Sequence, residues 1–311
     1  MTSSYRHAAE SDGKRISRSG PWHRTMDMLW VPFSVATITM YGLGQVFAKE
    51  TRTKGSSANL LLLLSVNIFV MWAAYWLFFR KPGSFGMWTW VQAIGAAALS
   101  GAAYVSYYES IKHGKVSIVG TIAGAYAPLT VFLAIIFLGE SMTVGELVGV
   151  ILVVAAMLVF TYSTGKNGNG DRKSEMLGIA FALLSLVFWG TSAAMAKGVI
   201  TEMGDTNFIG VYALVCPAIW FVYWLGSTKG KFEMPESNRW LLELSLLCFA
   251  AGGITLYLAI DFGNVSIVSP VTNLYPIVTI AVAKMRLREQ LSVRQIAALA
   301  MLIASVPLLS L

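Results

Sequence analysis

Residues 114–128 read GKVSIVGTIAGAYAP, and residues 263–276 read GNVSIVSPVTNLYP, nearly the same phrase 149 positions later. Sliding the chain by that interval aligns 108–155 with 257–304 and leaves fourteen of 48 positions identical. Among them are Tyr108/Tyr257, the block Val116–Val119/Val265–Val268, Tyr126/Tyr275, Thr130/Thr279 and Glu140/Glu289. Shared apolar composition supplies part of this matching; a contiguous four-residue block is harder to obtain that way. A slide of 148 aligns YGLGQVFAK (41–49) with WGTSAAMAK (189–197), bringing Gly42 onto Gly190 and Lys49 onto Lys197. The chain therefore reads as duplicated along its whole length.

Composition identifies the solvent. Of 311 residues, 56% are hydrophobic and 13% are charged, about half the charge content of an ordinary soluble domain. Ten stretches of at least 17 residues carry no charge: 28–48, 55–79, 82–108, 116–139, 147–165, 176–196, 206–228, 244–260, 262–283 and 295–311. Each is long enough, or nearly so, for a helix crossing a hydrocarbon core of roughly 30 Å. Lipid leaves bare backbone unsatisfied, and the stretches lack period-2 alternation, so they read as helices rather than barrel strands. The expected fold is an all-α integral membrane protein of ten transmembrane helices.

The halves fall at 27–162 and 176–311, after a polar tail (1–26) and around a Gly- and Ser-containing linker (163–175). The tail has no apolar core, so no cleavable signal peptide is expected. Five helices per half is an odd number, so the second copy enters from the opposite side and the halves are inverted repeats. Such units serve alternating access, rocking about a site at their interface. Each half then needs its own copy of a cavity-lining helix, which accounts for the repeated phrase.

These features resemble the drug/metabolite transporter superfamily, EamA-type branch: two five-span halves, Tyr-x-[Ala/Ser]-Ile (108–111 and 257–260) ahead of VSIV, and LGE (138–140) or LRE (287–289) closing the fourth and ninth spans. The resemblance covers nearly everything after residue 27. It implies a central cavity built by spans one to four and six to nine, with five and ten peripheral. It implies little about substrate, since that superfamily moves amino acids, nucleotide sugars, sugar phosphates and organic cations.

The polar residues inside spans are the candidates for that cavity. Tyr41, Gln45, Trp189 and Ser192 lie on spans one and six around Gly42, Gly44 and Gly190, where missing side chains allow close packing. Asn67 lies near the middle of span two, and Tyr126 in span four. Thr272, Asn273 and Tyr275 cluster in span nine beside Pro270 and Pro276, which remove intrahelical hydrogen bonds and free carbonyls. Tyr108 and Tyr257 are repeat-related. The competing reading is interhelical hydrogen bonding with no substrate contact.

Glu109 ends a long charge-free stretch; it can bind a substrate amine or take a coupling proton, or sit at the headgroup level beside Lys112. Lys49 and Lys197 are gate or charge candidates, against the commoner fate of snorkelling to the interface. Gly120/Gly124 and Gly145/Gly149 are GxxxG pairs; the second, on a peripheral span, raises a weak homodimer.

Catalytic signals are missing: there is no HExxH, no Cys pair at metal spacing and no phosphate-binding loop, and the three histidines lie in the tail and a loop. No metal or cofactor is expected. The net charge of +7 is dispersed through tail and loops, fitting lipid headgroups rather than nucleic acid. Fifteen Lys and Arg lie in the odd-numbered connections and eight in the tail plus even-numbered ones. The charge rule thus places both termini outside, whereas the resemblance implies both inside. The expected function is secondary transport, without ATP, of a small organic metabolite, with amino acids or similar amphipathic molecules favoured. Organic cations would use Glu109 with tyrosines, and nucleotide sugars or sugar phosphates would need inward basic groups. A channel-like pore is the alternative from another class, and a cell (inner) membrane the expected location.

Overall fold

The computed structural model describes residues 28–50, 56–113, 119, 122–162, 172–235, 238–287 and 293–309, which are helix, turn and connection, with no strand among them. In chain order the helices are α1 (Trp30–Glu50), α2 (Ser57–Phe79), α3 (Met87–His113), α4 (Ala127–Leu138), α5 (Val144–Tyr162), α6 (Arg172–Met203), α7 (Asp205–Thr228), α8 (Arg239–Phe262), α9 (Val265–Thr272), α10 (Tyr275–Leu287) and α11 (Val293–Leu309). Six segments among the described residues are long and apolar enough to cross a bilayer: Trp30–Ala48, Ser57–Phe79, Lys173–Met203, Asp205–Thr228, Arg239–Phe262 and Val265–Val282. Ile122–Leu138 and Val144–Ala156 are shorter apolar helices. The linker reading (163–175) falls mostly outside the described residues, as do the tail, the VSI of the first repeat phrase and Glu289.

Local chemistry sets the helix ends. Ser56 caps α2, its hydroxyl accepting from the Ala58 amide at 3.3 Å, and the Asn238 side chain accepts from the Leu241 amide at 3.4 Å to start α8. Thr143 and Glu146 form a reciprocal capping box at the head of α5: Thr143 N donates to the Glu146 carboxylate at 2.5 Å, and Glu146 N to the Thr143 hydroxyl at 3.2 Å. Gly139 closes α4 in the left-handed region, φ 67°, where a side chain is disfavoured.

Two expected spans are interrupted. Span nine is two helices, α9 and α10, separated by a turn at Asn273–Leu274. Pro276 cannot donate to the carbonyl four residues earlier and its ring crowds it, so the helix restarts there. Span four breaks at the matching place, with a turn at Ala125–Tyr126 and Pro128 in the first turn of α4. Another difference is at α6, which continues through Lys197 to Met203, well past the charge-free stretch. Lys197 therefore lies within a helix, not at its end.

Helices pair in a pattern that repeats between the halves. α3 packs along α6 and α1 along α8; α2 lies on α7 and α5 on α11; α4 contacts α6 while α10 contacts α1. Replacing every helix by its counterpart in the other half maps this set of neighbours onto itself. Small hydroxyls bond neighbouring backbones at these seams: Ser192 donates to the Ala96 carbonyl (2.8 Å), Ser185 to Ala103 (2.9 Å) and Ser245 to Gly44 (2.8 Å). In lipid such bonds and close small-residue packing replace the hydrophobic drive that holds soluble helices together. Accordingly Ala93, Ala96 and Ala97 of α3 are fully buried, whereas outward residues such as Phe78 and Phe137 are exposed. Gly145 of α5 faces α11, with an added Cβ 3.7 Å from the Leu308 carbonyl oxygen, so that GxxxG residue serves a contact within the chain.

Candidate functional site

At the middle of the bundle, side chains from both halves form an aromatic group. Trp189 of α6 is ringed by Tyr104 (centroids 5.1 Å, edge-on), Tyr107 (5.6 Å) and Tyr126 (6.0 Å). Tyr41 of α1 meets Tyr275 edge-on at 6.1 Å and Phe249 at 6.1 Å, and it lies near Tyr104 and Tyr126. The two broken helices thus place Tyr126 and Tyr275, repeat partners, at one centre. Edge-on aromatic pairs of this kind are worth about 0.5–1.5 kcal/mol beyond their burial.

Polar groups reach this centre from the α9–α10 break. The Tyr126 hydroxyl interacts with the side chains of Asn273 and Ser269, although neither Asn273 Nδ2 nor Ser269 Oγ meets strict hydrogen-bond geometry with it or with another protein group. Both residues are only 3% exposed. A buried unpartnered donor or acceptor costs about 1–3 kcal/mol, so such groups in a native fold call for a specific reason.

The other sequence candidates take different positions. Tyr257 belongs to a neighbouring aromatic group with Trp72 (5.7 Å), Tyr212 (5.5 Å) and Phe208 (5.0 Å). Tyr108 touches Tyr107 at 5.9 Å. Ser192 is committed to the α3 backbone, and the Thr272 hydroxyl to carbonyls of its own helix, Val268 (2.8 Å) and Ser269 (3.1 Å). The Asn67 amide donates back to Leu63 at 3.2 Å, and Gln45 is exposed. Of these four, Ser192, Thr272 and Asn67 commit a polar atom to helix backbone, while Gln45 lies one turn from Tyr41 on the same helix face. The Lys49 side chain lies outside the described residues.

The charged candidates are engaged. Glu109 accepts from Lys112 (2.6 Å) and from the Tyr223 hydroxyl (2.5 Å), tying the end of α3 to α7. Lys197 donates to the carbonyls of Ile260 (2.8 Å), Gly263 (2.8 Å) and Asp261 (3.4 Å), where α8 ends. Glu140 accepts from the amides of Val265 (3.0 Å) and Ser266 (2.9 Å), where α9 begins. A cation on the last carbonyls and an anion on the first amides both satisfy orphan backbone groups and oppose the helix dipoles. This junction borders a pocket of about 480 Å³ lined by Glu140, Lys197, Glu202 and Asn264.

Sequence reasoning missed Tyr104, Phe249 and Ser269. Tyr104, Tyr107 and Tyr108 recur at helical spacing on α3, the signal that locates the first of them. Phe249 and Ser269 left none, since an apolar ring and a serine are unremarkable inside a span. Among the described residues no group of His, Cys, Asp and Glu is arranged to hold a metal ion.

Comparison with known proteins agrees with this architecture. The EamA-like transporter family model matches twice, over residues 28–162 and 176–311. Among curated relatives, the uncharacterized transporter YvbV of Bacillus subtilis (strain 168) is 24% identical over 205 residues, covering 61% of this chain and 66% of that protein's length. An uncharacterized transporter of Archaeoglobus fulgidus is 25% identical over 207 residues, covering 66% of this chain and 70% of the relative. A solved crystal structure superposes with a TM-score of 0.71 over 90% of this chain and 98% of the other, at 17% identity, a likeness of fold alone. The family and the names of these relatives point to transport rather than catalysis, and the apolar helices to a multi-pass membrane protein. The chain belongs to the EamA-like transporter family.

Proposed function

We propose that the chain is a ten-helix secondary transporter, built as two inverted five-helix repeats, that carries a small amphipathic metabolite through the centre by alternating access in the cell membrane. The observation that carries this reading is the convergence of Tyr126 and Tyr275, one from each half, on a group where the buried Asn273 Nδ2 and Ser269 Oγ face the Tyr126 hydroxyl without a hydrogen bond of strict geometry. Substrate polar atoms partner the amide and hydroxyl; the rings of Tyr41, Tyr107 and Trp189 pack on its apolar part. Broken helices at such a centre are favoured binding positions in inverted-repeat carriers. The exchange symmetry of the helix pairs supports a rocking motion in which equivalent seams open in turn.

Amino acids and related neutral or zwitterionic molecules fit best. A phosphorylated sugar would need free basic groups, and Lys197 is bound to three carbonyls. An organic cation would need a free acid, and Glu109 is paired with Lys112. The test is exchange of labelled amino acids, quaternary amines and sugar phosphates into proteoliposomes. Saturable exchange confined to the first class supports the reading; exchange confined to sugar phosphates, or conduction far above carrier rates, removes it.

A further inference from the structure

A groove of about 790 Å³ runs between α2 and α7, away from the aromatic centre. Along α2 its lining follows one helix face, Phe69, Ala73, Trp76, Leu77 and Arg80; α7 faces it with Asn207, Gly210, Val211 and Leu214. Trp76 seats directly on Gly210, where an added Cβ would lie 2.5 Å from the indole Cδ1. The Trp76 ring can therefore seat against α7 because residue 210 has no side chain. Phe69, Leu77 and Leu214 are 46%, 61% and 63% exposed, opening it sideways to the surroundings of a membrane helix.

One end is charged. Arg80 and Lys81 follow the last residue of α2, both line the groove, and both are exposed. The Arg80 guanidinium lies over the Trp76 ring at 5.1 Å from its centroid, and the Lys81 carbonyl accepts from Asn207 at 3.2 Å, fixing this corner against α7. Among the described residues neither cation lies within 4.0 Å of a carboxylate oxygen, and the Asp261 carboxylate is the acid within electrostatic reach of Lys81. From Arg80 back to Phe69 the helix rises roughly 16 Å, the scale of an acyl chain.

We propose that this groove holds one anionic glycerophospholipid, its phosphate between Arg80 and Lys81 and one acyl chain along Trp76, Ala73 and Phe69 against α7. The apolar length fits a lipid tail, and the two cations select the headgroup. The site is independent of the substrate reading, since no residue of the aromatic centre lines it.

The test is native mass spectrometry of the full chain with phosphatidylglycerol or phosphatidylcholine of identical acyl chains. Wild type should retain phosphatidylglycerol about thirtyfold better, as expected for two basic groups each worth about 1 kcal/mol at an anionic surface. The Arg80→Gln/Lys81→Gln variant should lose that preference while keeping its melting temperature. A Lys229→Gln/Lys231→Gln variant, altered in another loop, should keep it. Trp76→Ala should weaken retention of both lipids. Equal retention of the two lipids by wild type, or a preference that survives in Arg80→Gln/Lys81→Gln, overturns the proposal. So does an equal melting shift with soluble glycerol 3-phosphate, which would show a free-phosphate site instead.

Discussion

Thr130 and Thr279, 149 residues apart, make the same two hydrogen bonds. Thr130 Oγ1 donates to its own helix at Tyr126 O (3.3 Å) and across to Gly190 O (3.3 Å); Thr279 Oγ1 donates to Tyr275 O (3.2 Å) and across to Gly42 O (3.3 Å). The glycines match as well. A Cβ added to Gly42 would lie 2.6 Å from Val278 Cβ, and one added to Gly190 would lie 3.0 Å from Leu129 Cβ, its repeat counterpart. Each half thus clamps the outer part of its broken helix to the first helix of the same kind in the other half.

These clamps should be equivalent in energy. Replacing either threonine by valine is expected to cost about 0.5–1.5 kcal/mol. Gly42→Ala and Gly190→Ala, which drive a methyl into a packed seam, are expected to cost about 1–3 kcal/mol. Thermal unfolding of the detergent-purified variants measures this. A large loss at one glycine and none at the other would show that the seams are unequal.

Asn273→Leu separates binding from folding. Removing an amide whose Nδ2 has no bond of strict geometry but whose side chain interacts with Tyr126 should change stability by no more than about 1 kcal/mol. Transport should fall at least about tenfold, the loss of roughly one hydrogen bond to substrate. Parallel melting and proteoliposome uptake decide it; a variant that is both destabilised and fully active would place Asn273 in the scaffold instead.

Lys197→Met tests whether the lysine is a cap or a gate. Losing a cation from the last carbonyls of α8 should cost about 1–3 kcal/mol, seen as a lower melting temperature, with transport reduced only in proportion to folded protein. Unchanged stability with selective loss of uptake would assign Lys197 to the transport path.

Glu109→Gln tests proton coupling. With its carboxylate paired to Lys112 and Tyr223 at the end of α3, the substitution should cost no more than about 1 kcal/mol and leave the pH dependence of uptake as in wild type. A flattened pH profile would return Glu109 to a coupling role.

The repeat phrase made the duplication legible, and charge-free length made the membrane helices legible, because both are one-dimensional properties. Pro270 and Pro276 announced the break in span nine. Pro128 carries the same signal for span four, without a second proline beside it in the apolar run. Within the site, Tyr126, Tyr275, Tyr41 and Trp189 were visible through repeat position and glycine neighbours. Ser192, Thr272 and Asn67 were not separable from them, since an apolar helix does not reveal which of its polar groups bond to backbone. The caps made by Lys197 and Glu140 depend on contacts 63 and 125 residues away, which no local pattern encodes.

The most direct measurement is the melting temperature of wild type and Asn273→Leu, purified in the same detergent, against amino acids, polyamines, quaternary amines, nucleotides and sugar phosphates. A ligand that binds only the folded state raises its stability by mass action. A central amphipathic site predicts a selective rise for amino acids or close analogues in wild type and no rise in Asn273→Leu. An equal rise in both proteins, or a rise confined to sugar phosphates or nucleotides, would contradict it.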